Sequence, residues 1–476
     1  MKCKVLGAIS MIALLIVTVL SVTDRARAHT RITTEVTWSE HIRAILIEKC
    51  MTCHHPGGIA PDYADFTVYG TDTMPGAWAW KTAMEEEIVM GRMPPWKPDE
   101  RFGSFSNVKE LTVEEVNLIS AWANGGGPQG PYRNLPVPEQ FQRADWAFGR
   151  PDLIFSQPQG HVVPANQQYD TAEVVLAVEI EEDTYITGYE FLVENPKNIF
   201  RMTAYVLDPE GVEMPPIEVE VKTAYDPLAD EDERVQVRLR EMPEGPHFVG
   251  QWVRGDGPVL FPDAAGRLLR KGSKVQLRIE YRRPDFADWS EDIRDNSKLG
   301  LYIAQPGEEV DLLVESKVVK NPDFVIKAEE SNQEVRAELT MEENVHLIGI
   351  NPYLGSLAKS LEVKATYPDG LSRTLMWIPE YKKRWTASYR FERPVAAPVG
   401  TRIEMIAHYD NSEDNLDNPN SPPIDVASGP DRDDEQLLAM LTYTLDDHLN
   451  VEVEFTPRER PVSESGGGMV FTEVPN

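Results

Sequence analysis

Two thiols and an imidazole stand together in Cys50-Met51-Thr52-Cys53-His54. Cysteines separated by two residues fall about one helical turn apart, and a histidine follows the second directly. Such a set can add covalently to the two vinyl groups of a porphyrin and deliver a nitrogen to its iron, which is the attachment spacing of a c-type haem. The spacing predicts one covalently bound haem c, with Cys50 and Cys53 as tethers and His54 as an axial iron ligand. The same pair could otherwise serve as a redox dithiol or as half of a zinc site. A zinc site needs two more close Cys or His ligands, and only His55 is near. A thioredoxin-like dithiol wants a strand–helix–strand context that this stretch lacks.

The second axial ligand of such an iron is expected on a loop some tens of residues downstream. Gly91-Arg92-Met93-Pro94-Pro95-Trp96 fits best, because prolines fix the backbone around the methionine and a thioether favours ferrous iron. Met93 is therefore the expected ligand. Met74, Met84 and Met90 are the alternatives; Met84 and Met90 fall in a predicted helix over 80–89 and its end, where core packing is the simpler role.

Helices must position these groups. Thr37-x-x-Glu40 reads as a capping box, and Ile42, Ile45 and Leu46 recur at helical spacing up to Cys50. Thr112-x-x-Glu115 opens a second amphipathic helix carrying Val116, Ile119 and Trp122, with Gly125-Gly126-Gly127 as its stop. Helices bracketing the Cys50–His54 motif and a methionine loop resemble a class I cytochrome c domain, a likeness that spans Thr34 to Gly127.

The whole chain has 476 residues and a formal charge of −31. That length is too great for one ordinary core. The acidic balance argues against nucleic acid and makes a basic docking face the expected feature of a redox protein partner. Lys2 and Lys4 precede an apolar run from Val5 to Val22, and Ala26-Arg27-Ala28 supplies a signal-peptidase site. Residues 1–28 are thus expected to be a signal peptide and the protein to be periplasmic or secreted. Its removal takes away Cys3 and a net charge of +3, moving −31 to −34. With two cysteines left, a disulfide scaffold is excluded. No later stretch is long and apolar enough to cross a bilayer as a helix.

Beyond Pro128 the chain changes character. Prolines stiffen 128–150, and short β-branched and aromatic runs between turn residues follow. Strands are expected near 174–181, 200–207, 235–239, 275–281 and 299–304, then near 361–367, 374–378, 385–391 and 401–409. The predicted fold is mainly β with a small all-α domain: a helical unit over 29–127, a linker over 128–150, antiparallel β-sandwiches over 151–306 and 307–460, and a tail over 461–476.

Phe261-Pro-Asp-Ala-Ala-Gly, Lys271-Gly-Ser-Lys-Val-Gln-Leu-Arg-Ile-Glu280-Tyr281 and Asn296-Ser-Lys-Leu-Gly-Leu-Tyr302 resemble the first copper domain of the type II, ascorbate-dependent monooxygenases. Pro352 to Val363, Tyr367-Pro-Asp-Gly370, Trp385-Thr-Ala-Ser-Tyr389 and Tyr409-Asp-Asn-Ser412 resemble the second. Together they resemble bacterial proteins in which the pair follows a cytochrome c domain, which implies jelly-roll-like sandwiches. The resemblance also implies ligand positions, and these are substituted. Glu280 stands where the family's Gln-x-His-Tyr has histidine; the His-His pair has no counterpart around Ile199 to Tyr205; Pro-His-x-His reads Pro352-Tyr353-Leu354-Gly355; and the methionine falls near Gln436. Copper is accordingly not an expected cofactor. His161, His247, His346, His408 and His448 remain, unpaired in sequence, and read as surface or hydrogen-bonded core residues. The expected activity is electron transfer by a mono-haem cytochrome, not catalysis on a substrate. A haem-coupled copper monooxygenase with non-standard ligands and a haem subunit of a periplasmic redox complex are the alternatives.

Overall fold

The computed structural model describes residues 34–445 except 72, 133–134, 139–145, 158, 208, 210–247, 285–288 and 430–433. The signal region, the expected strand near 235–239, His247, His448 and the tail lie outside the described residues. No helix among the described residues is long and apolar enough to cross a membrane.

The chain is mainly β, and the α-helices among the described residues all lie before residue 125. A wide-turned helix runs continuously through Trp38–Ile42, Arg43–Ile45 and Leu46–Cys50. The expected capping box at Thr37 does not form. The Thr37 hydroxyl donates to Glu40 and its N–H to His41 Nδ1, while the Ile42 N–H reaches five residues back to the Thr37 carbonyl. This π-type start draws the side chains out of capping register. Thr112 behaves as predicted: its hydroxyl accepts from the Glu115 N–H, and the Glu115 carboxylate accepts from the Thr112 N–H. The helices Ala77–Val89 and Val113–Asn124 pack together, and Trp38, Ile42, Leu46, Met51, Ile119 and Trp122 are all but fully buried between the three. The Pro128 and Gln129 carbonyls accept from the Trp38 and Ser39 N–H groups, which ties the start of the connector to the first helix.

Nine strands form one sheet that crosses both β units. The order along its main path is Leu153–Ser156, Lys298–Ile303, Thr184–Leu192, Ala265–Leu269, Leu312–Lys320, Leu437–Leu445, Val345–Leu354 and Tyr389–Ala397, with Val259–Leu260 beside Thr184–Leu192. A short parallel pairing of Leu312 and Leu313 with Ala265 and Gly266 joins the two halves; the other pairings are antiparallel. Each half packs against its own four-stranded antiparallel sheet. One comprises Tyr169–Ala177, Lys274–Arg282, Ile199–Leu207 and Phe248–Val253; the other comprises Gln333–Thr340, Arg402–Tyr409, Ala358–Thr366 and Ser372–Ile378. The cores lie between the layers, Ile186 and Leu301 facing Leu277 and Ile279 in the first, Leu347 and Leu441 facing Leu361 and Met405 in the second. This is sandwich architecture with a shared sheet.

The strand expected from Trp385 starts later, at Tyr389. Lys383–Trp385 is a 3-10 turn, and the Ser388 hydroxyl instead donates to Asp256 of the first sandwich at 2.8 Å. Met84 is buried in the helical core as expected, but Met90 is 64% exposed because it lies beyond the last turn of its helix, on the cap.

Candidate functional site

Cys50 closes the first helix, and the backbone then folds back on itself. The Cys53 and His54 N–H groups both donate to the Cys50 carbonyl, at 3.1 and 3.0 Å. The next loop is laced to the motif from outside: the Ala60 N–H donates to the Cys53 carbonyl and the Phe66 N–H to the His54 carbonyl, each at 3.0 Å. Cys50, Cys53 and His54 are thus brought into one hydrogen-bonded turn, each half-buried.

Both cysteines are free thiols. Burial pushes the Cys50 thiol up to about 12, with Cys53 and Glu115 adding to the effect. Burial raises the Cys53 thiol too, against an opposing pull from Lys109 and Arg254. A catalytic dithiol needs a stabilised thiolate, so these environments suit thiols that are not redox nucleophiles. His54 Nδ1 lies 3.1 Å from the Ala64 carbonyl, and since a carbonyl only accepts, Nδ1 carries the proton. Nε2 is left as the lone-pair nitrogen, the tautomer a metal-ligating histidine requires. The ring stacks on Phe66 at 4.2 Å and 3°, and burial holds the imidazole below its usual range, which keeps it neutral. Two unpaired thiols one turn apart and a neutral imidazole fixed at Nδ1 fit the donor set of a c-type haem.

Met93 is half-buried just beyond the helix Ala77–Val89. Its N–H and that of Arg92 both donate to the Glu87 carbonyl, so its placement is set by its own helix. Gly91, at φ +65°, makes the sharp exit that a side chain would oppose.

From Trp96 to Lys109 the chain leaves the helices and runs along the second sandwich. The Asp99 N–H donates to the Trp377 carbonyl, Phe105 bridges to Phe391, and Asn107 holds the backbone of Ser388 and Arg390. Trp96 and Phe105 pack edge-on and tilted against Tyr389 and belong to that sandwich's core. Lys109 then turns to the first sandwich and donates to the Gly255 carbonyl, while Asp62 pairs with Lys197 at 2.5 Å. Sequence reasoning gave no sign of Lys109, Arg254 or Gly255 and met Ser388 only inside the Trp385–Tyr389 motif, because their neighbours are distant in the chain.

A second junction lies between the sandwiches. Glu280 is engaged twice by Arg201, at 2.9 and 3.1 Å, and by Arg278 at 3.2 Å. The Arg201 guanidinium also sits 4.6 Å from the ring centre of Tyr353 of the second sandwich. Glu280 and Tyr353 are two of the positions where the monooxygenase resemblance implies copper ligands. A third such region carries Glu435, whose carboxylate accepts from the Leu357 N–H at 3.0 Å and packs so tightly on Gly355 that a Cβ there would lie 1.9 Å from it. Among the described residues no three His, Cys, Asp or Glu side chains gather as a metal-binding group. His161 pairs with Asp170 at 2.7 Å and stacks on Tyr281; His408 lies 3.4 Å from Ser360; His346 is buried.

No protein family and no curated protein matches the chain. Among solved structures it is similar to a secreted protein from Eubacterium rectale (9% identity over 58% of this chain and 69% of that one, TM-score 0.18) and to the STIV MCP (11%, 62% and 97%, TM-score 0.24). It is also similar to the infectious bursal disease virus VP2 subviral particle (8%, 64% and 75%, TM-score 0.18).

Proposed function

We propose that the protein is an exported, mono-haem c-type cytochrome that transfers electrons, with a degenerate copper-monooxygenase-like sandwich pair serving docking and support. The observation that carries this reading is the hydrogen-bonded Cys50–His54 turn, with two free thiols and a histidine whose Nδ1 is committed to Ala64. Cys50 and Cys53 would tether the porphyrin, and His54 and Met93 would hold its iron. When bound, the haem supplies a one-electron iron centre whose potential follows its ligands and surroundings. His54 is oriented by Ala64 and packed by Phe66, which excludes water from one ring face.

The sandwiches act as scaffold in this reading. At the positions the resemblance gives to copper ligands, a carboxylate locked by two arginines and a tyrosine facing one of them replace imidazoles. The acidic chain suits a redox protein with a basic docking face.

The test is metal analysis of the periplasmic protein with a reduced-minus-oxidised spectrum and a haem stain on a denaturing gel. One iron per chain, covalent haem and no stoichiometric copper are expected. Copper at one or two per chain, with copper-dependent hydroxylation of a small molecule, overturns the reading.

A further inference from the structure

In a chain of net charge −31, positive groups gather at Cys53. Gly255 belongs to the turn that follows the strand Phe248–Val253 of the first sandwich, and it is buried at φ +86°. A Cβ built there would lie 3.4 Å from Cys53 Sγ and 2.7 Å from Lys109 Nζ, so the backbone of the turn lies directly against the thiol. The next residue back, Arg254, is half-buried, and its guanidinium donates to the carbonyls of Lys197 and Ile199 at 3.1 and 3.2 Å. Those partners are neutral carbonyls, and no carboxylate among the described residues forms an ion pair with Arg254. Burial, with Arg282 and Arg384 nearby, pushes Arg254 down to about 10, which still leaves it protonated at pH 7. The acidic member of the turn, Asp256, accepts from the Ser388 hydroxyl of the second sandwich and from the Val253 N–H, and its charge also acts on Lys109 and Cys53, leaving Arg254 as the cation in excess.

We infer that the Arg254–Gly255 turn of the first sandwich, together with Lys109, is a wall of the haem site beside the Cys53 thioether and holds the haem potential up. This rests on the proposed haem attachment. A porphyrin joined through Cys53 has its edge at that sulfur, and a fixed positive charge beside it disfavours the ferric form, which carries one more positive charge than the ferrous. The first sandwich is then part of the redox site as well as its support, and Gly255 is the residue whose missing side chain lets the two surfaces meet.

The test uses the haem-loaded full-length protein and spectroelectrochemical titration. Arg254→Gln and Lys109→Gln each lower the midpoint, with the reduced-to-oxidised ratio at the wild-type midpoint falling roughly fivefold. Arg254→Lys keeps the charge while losing the planar fork, and leaves the midpoint in place. Lys327→Gln, on the second sandwich where Lys327 pairs with Asp425, is the reference. Haem-stained, folded Arg254→Gln and Lys109→Gln proteins that move no further than Lys327→Gln overturn the inference while leaving the cytochrome reading intact. A wild-type chain that takes up no covalent haem during maturation overturns both. If Arg254→Gln fails to fold, Lys109→Gln decides alone.

Discussion

Arg201 and Glu280 make a two-point ion pair across neighbouring strands of the first sandwich, and each side chain is only 8% exposed. Removing one partner strands the other charge where water cannot reach it. Glu280→Ala is expected to destabilise the fold by about 3–5 kcal/mol, read as a lowered urea midpoint. Burial alone would raise the Glu280 carboxyl, but Arg201 and Arg278 hold it below its ordinary value. Its contribution is therefore complete above the unfolded carboxyl range, about 4.3, and disappears as pH falls through the lower folded value. Equal midpoints for Glu280→Ala and wild type at pH 7 would refute the role.

Glu435 has the opposite sign. Burial raises its carboxyl to about 7 despite the Leu357 N–H bonded to it. The folded state binds the proton more tightly than the unfolded state, so stability is full below about 4.3 and erodes as pH rises towards 7. Glu435→Gln stays neutral and keeps an acceptor for Leu357. It is expected to match wild type near pH 4 and to exceed it at pH 8 by at most about 4 kcal/mol. A pH series of denaturation curves checks this; parallel curves for the two proteins would contradict it.

How much of this was legible beforehand depended on how local each cause is. A motif of fixed short spacing is local by construction, so Cys50, Cys53 and His54 announce themselves in sequence, and the proposed haem attachment rests on that spacing. The Thr112 capping box is equally local and forms as read. The strands Thr184–Leu192 and Val345–Leu354 were missed because they are buried along most of their length, which erases the alternation that marks a half-exposed strand. The pairing of Arg201 with Tyr353 and the approach of Gly255 to Cys53 arise only when distant strands assemble. No window of sequence contains both partners.

Phe105 tests how the helical unit is anchored. It lies outside any regular element, yet it is 7% exposed and stacks on Phe391 while touching Tyr389. Phe105→Ala removes a large buried ring and is expected to cost about 3–5 kcal/mol. Proteolysis should then cut within 96–109 faster than in wild type. Unchanged protection of that segment would mean the arm is held without this ring, by its backbone bonds to Trp377, Arg390 and Glu392, the Asn107 side chain and Trp96.

Met93 is the assignment most open to direct measurement, because three other methionines serve as internal references. Met84 is 6% exposed within the helical core, whereas Met74 and Met90 are 56% and 64% exposed. If Met93 is the thioether ligand, Met93→Ala lowers the midpoint potential, since loss of the sulfur removes the preference for ferrous iron. Met84→Ala instead lowers the thermal midpoint, by about 2–5 kcal/mol of lost packing, with the oxidised spectrum kept. Met74→Ala and Met90→Ala alter neither. An unshifted potential in Met93→Ala, accompanied by a shift in one of the other three, would transfer the ligand role to that residue.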